Sequence, residues 1–167
     1  MSVLEVYRSN PWLLITTAVV AGLMVGSFLN VVIHRLPKLM ERQWRSECAE
    51  LTGGTPPPAE RYNLVVPRSA CPACGHRITA LENIPIASYV ALGGKCSACR
   101  SPISWRYPVV EALAGGLAGF IAWNYGVSPA MLGAMVFAWA MFALTFIDLD
   151  TFYLPDNITL PLMWAGL

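Results

Sequence analysis

Apolar and polar residues do not alternate along this chain; they separate into long blocks. Trp12 to Ile33 is a run of 22 residues without a charge. Tyr107 to Tyr125 is a second apolar run, interrupted near its start by Glu111, and Ala130 to Ile147 is a third. Runs near 20 residues are what an α-helix needs to cross about 30 Å of hydrocarbon. The first run ends in His34-Arg35-Leu36-Pro37, and Pro37 is expected to stop its helix, because proline lacks the N–H that continues the ladder. A cleavable signal would have a shorter apolar core and a small-residue cleavage site, so the run reads as a permanent helix. Gly22 and Gly26 have the spacing that lets two helices approach closely, although a glycine-rich chain produces that spacing by chance as well.

The connections follow from the residues between the runs. Leu39 to Leu51 fits a short amphipathic helix at a membrane surface, and Thr52 to Glu60 has the Gly/Pro composition of a linker. Asn124 to Pro129 is a tight turn. Pro155 breaks the next segment, and Asp156 or Asn157 caps a fourth helix starting near Ile158. The residues after Asp156 reach only about 16 Å at the helical rise, half a bilayer, so the chain is expected to stop inside its fourth membrane helix.

Composition agrees with a membrane setting: 56% of residues are apolar and 13% charged, against about 25% charged in a soluble domain. Net charge is only +1, but it is unevenly placed. Ten of the eleven Lys and Arg lie between His34 and Tyr107 with five of the ten acids, making that segment about +5 and the remainder about −4. A basic loop belongs on the cytoplasmic side, which puts the N-terminus outside. The arginines are scattered rather than clustered, which argues against nucleic acid as a partner.

Four of the five cysteines form Cys71-Pro72-Ala73-Cys74 and Cys96-Ser97-Ala98-Cys99, with 21 residues between the pairs. Two such knuckles fit a tetrahedral zinc held by four thiolates, with a spacer slightly longer than usual. Gly75 and the Gly93-Gly94 pair allow the backbone to turn around the metal. Two disulfides would require an oxidising side, against the loop's charge, and a redox site would need one pair in a βαβ setting. A closed four-thiolate site has no open position for water, so the zinc would be structural. His34 and His76 are then not ligands, His76 being the better substitute for a cysteine. Cys48, outside both pairs, is expected to be a small buried side chain.

The third run ends among Asp148, Asp150 and Asp156. Asp148 follows Thr145-Phe146-Ile147 directly and lies nearest the hydrocarbon, where an ionisable group is a functional candidate; the plain alternative is a marker of the water boundary. Two carboxyls sharing one proton can activate water for hydrolysis. Asp148 and Asp150 lie about 200° apart on a helix and share no face, and Asp156 is beyond Pro155, so a partner for Asp148 is expected downstream. Glu111 lies one turn into its helix, where it is expected to snorkel or pair with Arg106, burial being the alternative.

Several strings together resemble the bacterial type IV prepilin peptidases: Gly26-Ser27-Phe28-Leu29-Asn30 through Val31-Val32-Ile33-His34-Arg35-Leu36-Pro37, Cys71-Pro72-Ala73-Cys74-Gly75-His76, Glu82-Asn83-Ile84-Pro85-Ile86-Ala87-Ser88-Tyr89, Leu92-Gly93-Gly94-Lys95-Cys96, Arg106-Tyr107-Pro108-Val109-Val110-Glu111, and Ile147-Asp148 up to Leu154-Pro155-Asp156. The likeness runs in order through nearly the whole chain. It implies a bifunctional enzyme of the bacterial inner membrane. Such enzymes cut the basic leader from type IV prepilins and type II secretion pseudopilins, then N-methylate the new terminus, commonly phenylalanine, with S-adenosylmethionine. The protease is an intramembrane aspartyl type, and the first aspartate stands at Asp148. The second stands in a GxGD motif that these 167 residues lack. Zinc at Cys71, Cys74, Cys96 and Cys99 and the methyl transfer are carried over with the cysteine loop; no methyl-donor residues are marked.

The expected fold is therefore an all-α polytopic membrane protein with a small zinc-ribbon-like cytoplasmic insertion. Residues 1–36 form the first membrane helix and its tail. Residues 37–106 form the loop, its zinc module spanning about 66–106, and residues 107–167 form the remaining helices with the aspartates. A non-catalytic membrane module whose zinc loop binds a secretion-system partner is the rival reading, and a solitary methyltransferase is another.

Overall fold

The structure, a computed structural model, describes residues 2–55 and 62–166. Positions 56–60 of the expected linker lie outside these. Six helices follow one another: α1 (Val3–Ser9), α2 (Pro11–Thr52), α3 (Ala87–Ala91), α4 (Arg106–Tyr125), α5 (Pro129–Thr151) and α6 (Asp156–Gly166). α1 is fixed by a capping box in which Ser2 and Glu5 satisfy each other's backbone N–H groups, removing two of the unpaired donors at a helix start. Pro11 and Pro129 each open a helix at the position where a missing N–H costs nothing.

Pro37 does not end the first long helix. α2 continues through it for 42 residues, about 63 Å, twice the thickness of the hydrocarbon. One hydrogen bond is lost, but packing holds the helix on both sides of the proline. Ahead of it, Leu29 and Ile33 are buried against Val110, Ala143 and Ile147. Beyond it, Arg42 stacks on Tyr62 at 4.2 Å and Trp44 meets Tyr153 edge-on at 5.3 Å. The expected surface helix over Leu39–Leu51 is thus the distal part of α2. Cys48 is exposed there rather than buried, because none of the described elements covers that face.

α2 and α5 are long and apolar enough to cross a membrane. α4 is shorter in apolar content, carrying Glu111 and Asn124, and serves as the inner helix. Val110, Ala114 and Ala118 on α4 are fully buried. Large apolar residues such as Met24, Phe120, Trp123 and Phe137 face outward, a surface that suits lipid and not water.

The close approach of α2 and α4 depends on glycine. A Cβ at Gly22 would lie 2.8 Å from the Ala114 carbonyl oxygen, and one at Gly26 2.8 Å from the Glu111 Cα. The fit is reciprocal, since a Cβ at Gly119 would stand 2.6 Å from Val19 Cγ2. The spacing of Gly22 and Gly26 is therefore functional in packing. Two polar contacts lock the bundle: Asn30 Nδ2 donates to the Tyr107 carbonyl at 3.1 Å, and Trp139 Nε1 to the Ala114 carbonyl at 3.2 Å. With little hydrophobic drive between helices in lipid, such packing and hydrogen bonding carry the association.

Gly22→Ala pushes backbone against backbone and is expected to cost about 1–3 kcal/mol, the range of core overpacking. Gly116→Ala, where no atom lies within 4 Å, is expected to leave thermal stability in detergent unchanged or raised. Equal melting temperatures for the two variants would contradict the seam.

Candidate functional site

The segment between α2 and α4 leaves the bundle and returns to it through polar anchors. Buried Arg35 donates to the Asn63 and Leu64 carbonyls at 3.1 and 3.4 Å, tying the returning chain to α2. Asn63 Oδ1 accepts the Val65 and Val66 amides at 2.7 and 2.6 Å, turning the chain toward the cysteines.

The two CxxC strings fold into matching knuckles. In the first, the Gly75 amide donates to the Cys71 carbonyl and the Cys71 amide to the His76 carbonyl, both at 2.9 Å. In the second, Arg100 and Cys96 make the same bonds to Cys96 and Ser101, at 3.0 and 2.9 Å. Each knuckle carries one antiparallel bridge, Ala70 with Arg77 and Lys95 with Pro102, in place of full strands. The matching turn positions have positive φ: 72° at Gly75 and 58° at Arg100. Only the first was legible as glycine; the second hides under an arginine.

The knuckles bring the Sγ atoms of Cys71, Cys74, Cys96 and Cys99 within 4.8 Å of one another. Cys71 lies 3.8 Å from Cys99, and Cys74 lies 4.0 Å from Cys96. A tetrahedral ion with metal–sulfur bonds near 2.3 Å requires about 3.8 Å between sulfurs, so the four residues fit a metal. Their acidities diverge with their hydrogen-bond partners. Ser101, followed by the Cys74 and Ala73 amides, holds the Cys71 thiol down to about 6. Cys74 is pushed up to about 12: the His76 amide favours its thiolate, but the hydrogen-bonded Cys99, Cys71 and Cys96 outweigh it. Four crowded thiols cannot all ionise without a cation among them. His34 sits with its Nε2 2.9 Å from Lys38 Nζ, and His76 Nε2 lies 3.4 Å from Glu82, so neither belongs to the sulfur cluster.

Glu82 is the residue that sequence reasoning missed. It accepts the Thr79 amide and hydroxyl at 2.8 and 2.9 Å, bonds Ser97 inside the second knuckle, and faces His76 beside the first. One carboxylate therefore couples both knuckles. Ser97, then the Thr79 amide and hydroxyl, hold its carboxyl down to about 2. Its signal in the sequence was the Thr79-to-Glu82 spacing of a capping-type turn.

At the membrane end the acids divide. Arg106 at the start of α4 makes a two-pronged pair with Asp150, at 2.9 and 2.6 Å. The expected pairing of Arg106 with Glu111 is thus replaced, since Asp150 on α5 reaches the guanidinium across the helix interface. Asp148, half-buried near the end of α5, has no ion pair among the described residues. α5 runs on to Thr151, where Phe152 caps it at φ 55° with its amide on the Asp148 carbonyl at 2.8 Å. Asp156 then opens α6 after buried Pro155. Glu111 is buried, and its Oε2 accepts the Ile86 amide at 2.8 Å. It faces a cavity of about 380 Å³ between the cysteine module and the α2/α4 helices.

The chain thus joins a helical bundle, two of whose helices are long and apolar enough to cross a membrane, to a four-thiol knuckle module that could hold a metal. Its family follows from comparison: residues 20–125 match the bacterial peptidase A24 N-terminal domain, and the chain belongs to that family. It is 48% identical to the prepilin leader peptidase/N-methyltransferase of Pseudomonas aeruginosa, over all of this chain and 58% of that protein. Identity to the protein of the same name is 50% in Aeromonas salmonicida, over 98% of this chain and 57% of the relative. In Burkholderia pseudomallei it is 53%, over 90% of this chain and 50% of the relative. The chain therefore spans little more than half the length of these relatives. No solved structure matches it.

Replacing Glu82 by Gln is expected to loosen the coupling between knuckles, read as faster amide exchange across residues 71–101. A carboxyl held below its ordinary 4.5 stabilises the folded module only while ionised. The difference from wild type is therefore full above pH 4.5 and fades as pH falls toward about 2. A difference that persists undiminished at the acid end contradicts the charge role.

Proposed function

We propose that this chain is part of an enzyme that cleaves the basic leader of type IV prepilins and type II secretion pseudopilins and then N-methylates the new terminus. The observation that carries this reading is the identity near 50% to prepilin leader peptidase/N-methyltransferases along the whole chain. Residues 1–36 and 107–167 lie in the bacterial inner membrane and its boundary, with the N-terminus outside. Residues 37–106 form the cytoplasmic loop. The bilayer is the solvent of the bundle.

Asp148 is one of two catalytic carboxylates. A prepilin joins a basic leader to an apolar helix, so its scissile bond sits where hydrocarbon meets cytoplasm, the level of the end of α5. There Asp148 and a second carboxyl share one proton; one activates water while the other donates to the carbonyl oxygen. Arg106 neutralises Asp150 and keeps it out of the pair, leaving Asp148 and Asp156 to attract the leader's basic residues. The second carboxyl is outside these 167 residues, in the GxGD motif of the family. Cys71, Cys74, Cys96 and Cys99 hold a structural zinc, which supplies a cross-link and no reacting group. S-adenosylmethionine supplies the methyl group.

The rival, a non-catalytic module docking a secretion-system partner through its cysteine loop, draws on the presence here of a single member of the carboxylate pair. In the full-length protein, Asp148→Asn is expected to lower leader cleavage by about 10²–10⁴-fold, the share of a positioned acid or base. Methylation of an already cut pilin should be unchanged. Unchanged cleavage would remove Asp148 from the mechanism. Donor-dependent labelling of cut pilin by a wild-type protein that never cleaves would identify a solitary methyltransferase.

A further inference from the structure

The cavity beneath the cysteine module has an unusual charge balance. Among the described residues its lining includes Glu82, Glu111, Cys71, Cys96 and His76, but no lysine or arginine. Glu82 is satisfied by Thr79, Ser97 and His76. Glu111 has hydrogen bonds but no counter-charge: it is 91% buried, has no ion pair among the described residues, and is met only by neutral donors, the Ile86 amide and the Ser27 hydroxyl. The arginine nearest in sequence, Arg106, is committed to Asp150. An ionised carboxylate in such a place needs a positive partner to offset its lost hydration.

The surroundings hold that carboxylate in position. Ile86 has φ 57°, a conformation β-branched residues avoid, and it is this turn that aims its N–H at Glu111. Gly26 brings α2 so close to the Glu111 backbone that Ser27 and Asn30 line the same space. Tyr89 and Tyr107 add aromatic rings to a largely apolar wall, surfaces that suit an organic cation. A volume of about 380 Å³ admits a small ligand or the end of a peptide.

We propose that Glu111 binds a primary ammonium group in this cavity. The assignment rests on the methyltransferase reading, and two reactants of that reaction carry such a group: the terminus of the cut pilin and the amino-acid end of the methyl donor. A buried carboxylate meeting an ammonium makes a charge-assisted hydrogen bond, which a neutral amide or a deaminated ligand cannot replace.

The test uses the full-length, zinc-loaded protein in detergent and two ligand pairs measured by calorimetry. One pair is an apolar peptide beginning with phenylalanine, with its amine free or acetylated; the other is S-adenosylhomocysteine and its deaminated analogue. Wild type is expected to prefer the amine form of one pair by about tenfold or more, and the pair that shows it names the source. Glu111→Gln should erase that preference while leaving the neutral ligand's affinity unchanged. Equal binding within both pairs by wild type overturns the assignment without reliance on any variant, as does a preference that survives Glu111→Gln. If methyl transfer is intact in that case, only the role of Glu111 falls. If wild type also transfers no methyl group to the cut pilin, the methyltransferase reading falls with it.

Discussion

The segment between α2 and α4 is too polar and too exposed to fold by burying apolar surface, so its shape depends on sulfur. Among its described residues, 62–105, Cys96 is the single buried side chain. Its secondary structure amounts to the five-residue α3 and two isolated bridges. A module of this size normally requires a metal or disulfides in place of a core. Four sulfurs within 4.8 Å are placed to form that cross-link by holding a metal, and Glu82 links the two knuckles by bonding to both. The Ile86–Glu111 hydrogen bond then passes the constraint to the helices. The cavity has the sulfur module as its roof and α2 and α4 as its floor, so losing either one removes it.

The floor depends on a different constraint. Lipid offers helices little reason to associate, so α2 and α4 gain their contact by omitting side chains. Gly22, Gly26, Gly115 and Gly119 let the two backbones approach, and α5 closes the other side through Trp139. This packing sets the depth of every acid in the membrane half. Glu111 is carried under the module. Asp150 meets Arg106, and Asp148 at the end of α5 has no ion pair among the described residues. The division suits a protein that would use two chemistries, because the carboxylate proposed for cleavage and the one proposed for amine binding occupy different surroundings.

Much of this was legible in the sequence where one residue type has few uses. Paired cysteines at CxxC spacing point to one kind of contact, and glycines four apart in an apolar run offer close helix approach beside chance spacing; the structure brings the four sulfurs together and packs α2 on α4 at those glycines. What the sequence hid were contacts made across distance. Arg106 and Asp150 are 44 residues apart, and a local reading assigned Arg106 to Glu111 instead. Pro37 looks like a stop because the lost hydrogen bond is local and visible; the packing that carries α2 through it comes from α4, α5, Tyr62 and Tyr153. Cys48 suits a buried site by residue type, but the described residues form no core around the distal α2. Arg100 occupies a position of positive φ that its residue type does not announce.

The claim on which the rest depends is that four thiolates of one chain surround one metal. X-ray absorption at the zinc edge of the purified, metal-replete full-length protein measures it directly. The account predicts one zinc per chain in a shell of four sulfurs at about 2.3 Å. Protein that folds and retains its activity with no stoichiometric zinc, or a shell in which nitrogen or oxygen replaces sulfur, would contradict it.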